Sequence, residues 1–267
     1  MIPVALTIAG SDPSGGAGLQ ADLKTFHQFG VYGTSVVTLV TVQNTCRSGE
    51  VEYLRAGLVL AQLDAVLEDI PPQAAKTGAL GTSAVIEAVA LRAAQFRFPL
   101  VVDPVMIGKQ GSPLLTDDAR ATLKAKLLPH VYLLTPNVDE AFALAGMTFP
   151  GREPQRNSLS EALKDVAKAI AGLGVRNVLV KGGHIGDDAT DLLYSDGRFQ
   201  TFSSKRIDTR HTHGTGCTFS AAITAGLAMG NQLVEAVSAA KKFITRAIET
   251  SPGLGHGQGP VNHLARI

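Results

Sequence analysis

The 267-residue chain has no tryptophan, two cysteines and charge on only 18% of its residues. The cysteines, Cys46 and Cys217, stand far apart without CxxC spacing. A disulfide framework and a cysteine zinc site are therefore excluded, and a reducing compartment, the cytoplasm, is expected. No run approaches the ~20 apolar residues that a membrane span needs. Met1-Ile2-Pro3 carries no basic stretch ahead of an apolar one, so no signal peptide is expected. Excess charge of one sign is missing too: 24 Lys+Arg against 23 Asp+Glu leaves +1. No global field draws nucleic acid or an acidic membrane. Finally, no GxxxxGK[ST] or GxGxxG pattern occurs. That removes the P-loop and the dinucleotide fingerprint, and a dehydrogenase with it.

What is present is a chain 45% hydrophobic, enough to bury a core and to exclude disorder. Its length suits one α/β domain over 1–267 better than two small ones. Short β-branched runs at Val4–Ala9, Ser35–Val42, Leu100–Asp103, Val131–Thr135 and Val178–Lys181 are continuously apolar, as in strands covered on both faces. Helical periodicity fills the intervals at Gly18–Phe29, Leu58–Glu68, Ser83–Phe96, Asp117–Leu127, Val138–Leu144 and Ser160–Leu173. The alternation implies right-handed crossovers, a mostly parallel central sheet and helices on both faces. Asp196-Gly197 between Leu192–Ser195 and Arg198–Phe202 predicts a hairpin. Helices at Gly216–Met229 and Val234–Thr250 follow, then an irregular glycine-rich tail from Gly253 to Pro260.

Ligands of open parallel sheets bind beyond the carboxyl ends of strands, and five polar clusters fall there. They are Gly10-Ser11-Asp12, Gln43-Asn44, Asp103-Pro104, Thr135-Pro136-Asn137 and Lys181-Gly182-Gly183. His213-Gly214-Thr215-Gly216-Cys217-Thr218 leads glycines into an apolar helix, so free amides and the helix dipole meet at one point, an anion hole for a phosphoryl group. The plainer reading is a glycine-rich helix start capped by Thr215. Cys217, in the first turn, is placed where the dipole favours thiolate, whereas Cys46 lacks any activating context. Asp103, Asn137 and Glu140 suit magnesium, which takes few protein ligands; Asn137 and Glu140 also read as a capping box. Lys181 is a point charge for phosphates. The glycines of Gly10 to Gly18 allow a small ligand close to the backbone, and Asp22 stands one turn into the next helix. Gly108 to Ser112 reads as a closing flap or an ordinary loop.

Together, Ala5-Leu6-Thr7-Ile8-Ala9-Gly10-Ser11-Asp12, Gln20 to Thr25, Asp103-Pro104-Val105-Met106, Thr135-Pro136-Asn137, His213 to Ser220 and the tail Gly255 to His263 resemble the bacterial hydroxymethylpyrimidine/phosphomethylpyrimidine kinases of thiamine synthesis. The resemblance implies a ribokinase-like fold, a homodimer, and Mg-ATP used in two successive phosphorylations of an aminopyrimidine alcohol. It further implies that Gly10, Asp22, Gln43 and Val105 line the pyrimidine pocket. Asp103, Asn137, Glu140 and Lys181 would serve metal and phosphates, with Asp103 and Glu140 nearest the metal. Cys217 would be the base within the anion hole of Gly214, Thr215 and Gly216. One departure stands out: where the family commonly has Lys-x-Gly-Met-Leu, this chain has Lys76-Thr77-Gly78-Ala79-Leu80. The rival readings are a pyridoxal/pyridoxine kinase on the same scaffold and a non-catalytic nucleotide- or pyrimidine-binding module. Kinases leaning toward pyridoxal often carry a second cysteine after the Asp-Pro-Val-Met segment; here Ile107-Gly108-Lys109 stands there, and Gln43 is retained.

Overall fold

The computed structural model describes residues 2–106, 115–149, 156–182 and 188–266. Its elements run β1 (Val4–Ser11), α1 (Gly18–Gln28), β2 (Tyr32–Gln43), β3 (Ser48–Tyr53), α2 (Ala56–Asp69), β4 (Ala74–Thr77), α3 (Ser83–Ala93), β5 (Leu100–Val102) and α4 (Asp117–Thr122). They continue as β6 (Leu133–Leu134), α5 (Val138–Ala145), α6 (Arg156–Ala171), β7 (Asn177–Val180), β8 (Asp188–Ser195), β9 (Arg198–Lys205), α7 (Thr215–Ala228) and α8 (Leu233–Glu249). One sheet holds all nine strands in the order β3-β2-β1-β4-β5-β6-β7-β8-β9. The six central strands are parallel. β3 at one edge and β8 and β9 at the other are antiparallel.

Successive strand residues face opposite sides, and both sides are apolar. Leu6, Ile8, Val102, Leu134 and Val178 join the core with Ile86, Phe142 and Ile170 from α3, α5 and α6. Ala5, Val101, Leu133 and Leu179 join Phe26, Phe219, Val237 and Phe243 from α1, α7 and α8 on the other side. This two-sided burial is why the central strands lack alternation in their sequence. Asp196 (φ 49°) and Gly197 (φ 76°) turn the β8–β9 hairpin, as that dipeptide requires.

β3 and β4 were not anticipated. β4 reads Ala-Ala-Lys-Thr, with a lysine where a β-branched residue would signal a strand, yet all four residues are buried. β3 is a mostly exposed edge strand, without the hydrophobic face that marks strands in sequence. The helix expected over Asp117–Leu127 is α4 followed by a π turn at Leu123–Leu127. The proposed flap at Gly108–Ser112 lies outside the described residues, as do Gly183 and His184.

Candidate active site

Because β2, β1, β4, β5, β6 and β7 run parallel, their carboxyl ends share one edge, and a cleft of about 800 Å³ opens there. Gly10, Gln43, Asp103, Val105, Asn137, Glu140, Lys181, Gly214, Thr215, Gly216 and Cys217 all line it. Of the residues assigned by resemblance, one does not.

The start of α7 stands at the middle of the cleft. Gly214 is its N-cap at φ 79°, and a Cβ there would lie 1.7 Å from the Gly16 carbonyl oxygen, so only glycine fits. No side chain caps this helix. Thr215, one candidate cap, instead donates its hydroxyl to the Thr212 carbonyl at 2.7 Å. The Thr215 amide also goes to Thr212, and that of Thr218 to Gly214. The amides of Gly216 and Cys217 have no partner among the described residues, which leaves two donors and a helix dipole for an anion. A Cβ on Gly216 would be 3.2 Å from Lys181 Nζ and 3.4 Å from Asp103 Oδ2, so an ammonium faces the same point as the bare amides.

Cys217 is half-buried beside them. Burial pushes its thiol up to about 11; Lys76 opposes this, while Asp22 and Asp103 reinforce it. Loss of hydration thus opposes the thiolate that a first-turn position favours, and the thiol rests neutral.

Asp22 is the residue that does not reach the cleft. It is fully buried, with Lys76 Nζ at 2.7 Å and the Thr7 hydroxyl donating at 2.6 Å. The structure places it beneath the site, not on its wall. Burial alone would drive Lys76 toward neutrality, but Asp22, Cys217 and Asp103 outweigh it and raise its pKa above the ordinary lysine value. Sequence reasoning missed Lys76 as a site element; a lysine inside an otherwise apolar run was the available signal.

Beside the α7 amides, Asp103 Oδ1 accepts from Lys181 Nζ at 2.8 Å. Asn137 and Glu140 form a complete capping box on α5 while also lining the cleft. Burial raises Glu140; Lys181 opposes this and Asp103 adds to it, so the two carboxylates sense one another across a shared cation. Among the described residues no cluster of three or more His, Cys, Asp or Glu could hold a metal ion. Arg206 to Thr209, Ile244, Thr245 and Ile248, which no motif announced, also line the cleft.

Gly10, Leu39, Gln43, Tyr53, Ala79 and Val105 line the cleft as well. Gly10 is bare for a different reason than expected, since a Cβ there would strike Leu39 Cδ1 at 2.4 Å. The buried Asp12 carboxylate accepts from the Ser14 hydroxyl at 2.9 Å and from the Ser14 and Ala17 amides at 2.8 and 2.9 Å, and Gln43 stands close enough to help lower its pKa. Burial raises Asp12, but His213, Gln43 and Ser14 outweigh it and hold the group well below the usual carboxylate range. His213 Nε2 lies 2.8 Å from it, joining the β1–α1 loop to the start of α7.

A parallel sheet whose strand tips carry a cleft, with bare helix amides facing a lysine inside it, is the arrangement of a small-molecule kinase of the ribokinase-like class. The family model described as phosphomethylpyrimidine kinase matches residues 12–262. A hydroxymethylpyrimidine/phosphomethylpyrimidine kinase of Rhizobium meliloti is 46% identical over 269 residues, covering 100% of this chain and 98% of its own. The protein of that name in Bacillus subtilis is 44% identical, covering 98% and 94%. Among solved structures, a Bacillus subtilis pyridoxal kinase in an ADP complex matches with TM-score 0.90 at 38% identity, covering 99% of this chain and 98% of its own. A phosphomethylpyrimidine kinase from Clostridium difficile matches with TM-score 0.79 at 40% identity, covering 92% and 99%. The chain belongs to the phosphomethylpyrimidine kinase family.

Proposed function

We propose that the protein, acting as one domain, moves the γ-phosphoryl group of ATP onto the hydroxyl of 4-amino-5-hydroxymethyl-2-methylpyrimidine. It then phosphorylates the monophosphate so formed, giving the diphosphate for thiamine synthesis. The observation that carries this reading is the pair of amides, Gly216 and Cys217, without a partner among the described residues and facing Lys181 inside one cleft. Donors fixed in advance at the place where charge develops are the largest single contribution to such catalysis.

The pyrimidine sits among Gly10, Gln43 and Val105, with Asp22 acting from beneath through Lys76. The triphosphate lies toward Lys181, Asn137, Glu140 and Asp103. In the first step the acceptor oxygen attacks the γ-phosphorus, the bond to the β-bridging oxygen breaks, and the ionised fraction of Cys217 takes the hydroxyl proton. In the second step the acceptor is already an anion and needs no base. A thiol that rests neutral admits that anion, where a permanent carboxylate would repel it.

The donor set fits magnesium: two carboxylates beside one lysine, too few for an all-protein cage and suited to an ion that keeps its waters. When bound, the ion neutralises phosphate oxygens, with Asp103 and Glu140 holding it. The exposed Val40, Val42 and Tyr53 of the β2–β3 hairpin support a homodimer, and two cysteines that are not joined in a disulfide support a cytoplasmic protein.

A pyridoxal kinase activity is the second reading, favoured by the small Ala79 lining the cleft and by the likeness to a pyridoxal kinase structure. An ADP-release assay with the pyrimidine alcohol, its phosphate and pyridoxal separates the two. We expect kcat/KM for the pyrimidine alcohol to exceed that for pyridoxal by about tenfold or more. The reverse order selects the pyridoxal reading, and no ADP release with any acceptor leaves a binding module.

A further inference from the structure

Among the described residues, only Val105 and Asp196 adopt positive φ without being glycine, at 42° and 49°. Asp196 sits in a hairpin turn that tolerates it. Val105 has no such excuse: a β-branched side chain is strained in the left-handed region, and such a conformation persists only where the surroundings over-determine it. The surroundings here are specific. Before Val105, Pro104 has a fixed φ, and the Asp103 amide donates to Thr77 on β4 at 3.0 Å. After it, the Met106 amide donates to Glu140 Oε1 at 3.1 Å. The other carboxylate oxygen, Glu140 Oε2, accepts from the Asn137 amide at 2.9 Å, while Asn137 Oδ1 accepts from the Glu140 amide at 2.9 Å. Glu140 is therefore clamped at the head of α5 and buried, and its outer oxygen reaches across to the segment that carries Val105.

We propose that Glu140 is a positioning residue for the acceptor wall of the cleft, holding Val105 in its left-handed conformation through the Met106 amide. The inference rests on the reading above, in which Val105 faces the acceptor. It adds a mechanical link within the cleft: the carboxylate that neighbours Asp103 and Lys181 also sets the backbone of the segment that carries Val105.

The test is a double-mutant cycle of E140Q and V105G in the full-length protein. An amide at position 140 turns a donor toward one of the two backbone N–H groups, so one of them loses its acceptor. Glycine adopts the left-handed conformation without strain and has no need of the strut. Alone, E140Q is expected to raise KM for the acceptor about tenfold, and in the V105G background less than about threefold. Its effect on KM for ATP should be the same in both backgrounds. Equal effects on acceptor KM in the two backgrounds overturn the proposal, as does E140Q altering only the magnesium titration. The cycle is also read by urea unfolding without substrate, where the two substitutions are expected to be non-additive; additive midpoint shifts overturn the strut. A protein that turns over no pyrimidine yet shows the non-additive unfolding would sink the proposed function and leave the strut standing.

Discussion

The two phosphorylations should answer differently to pH. Cys217 is pushed from an ordinary 9.0 up to about 11, so each thiolate formed costs about 2.7 kcal/mol more than in water. At pH 8 roughly one molecule in a thousand carries the base. A step that needs it must therefore accelerate about tenfold per pH unit between pH 7 and 9.5. The second acceptor is a phosphate ionised above about pH 6, and its turnover should stay within about threefold across the same range. Cys217→Ala should remove the slope of the first step and lower it by about 10²- to 10⁴-fold. The second step should lose less than about tenfold. The assay is ADP release measured separately with the alcohol and with its monophosphate, at saturating ATP. Parallel pH profiles, or equal losses in Cys217→Ala, would refute the base assignment.

Three further outcomes are expected. Lys76→Met strands the Asp22 carboxylate, both being fully buried, and should cost about 3–5 kcal/mol in urea unfolding. The double substitution Lys76→Met with Asp22→Leu should recover most of that stability, and a loss below about 1 kcal/mol in the single variant would contradict the pairing. Burial, with Lys24 and His213 adding to it, lowers His263 from 6.5 to about 4. The unfolded chain takes a proton below 6.5 that the folded protein refuses until about 4, so stability should fall by about 3 kcal/mol as pH drops through that window. His263→Gln should flatten the curve, and an unchanged pH dependence of Tm would discount the histidine. Gly214→Ala places a Cβ 1.7 Å from the Gly16 oxygen and should cost on the order of 10²-fold or more in kcat through displaced amides. Near-native turnover would show that the start of α7 is not held as described.

The parallel core was readable because burial on both faces writes β-branched runs into β1, β2, β5 and β7, with amphipathic helices between them. The placement of the polar clusters at strand tips followed from that topology, and so did the convergence of Asp103, Asn137, Lys181 and the α7 amides. What was hidden depended on distant partners. β4 contains Lys76, whose charge is acceptable only because Asp22 arrives from α1, 54 residues earlier in the chain. The same pairing removes Asp22 from the wall that motif likeness assigned it to. At Cys217 a first-turn position announces the dipole, whereas the burial that raises its thiol is a property of the assembled core. Ile244, Thr245 and Ile248 reach the cleft from the C-terminal half of α8, where a helical pattern gives no hint of a ligand.

Everything turns on the amides of Gly216 and Cys217 receiving the migrating phosphoryl group. A crystal structure with ADP, aluminium fluoride and the pyrimidine alcohol reads this directly. The account predicts fluoride ligands about 3 Å from both amide nitrogens, with the acceptor oxygen beside Cys217 Sγ. A fluoroaluminate bound against the Gly10–Gly18 loop, with the α7 amides facing water, would contradict it.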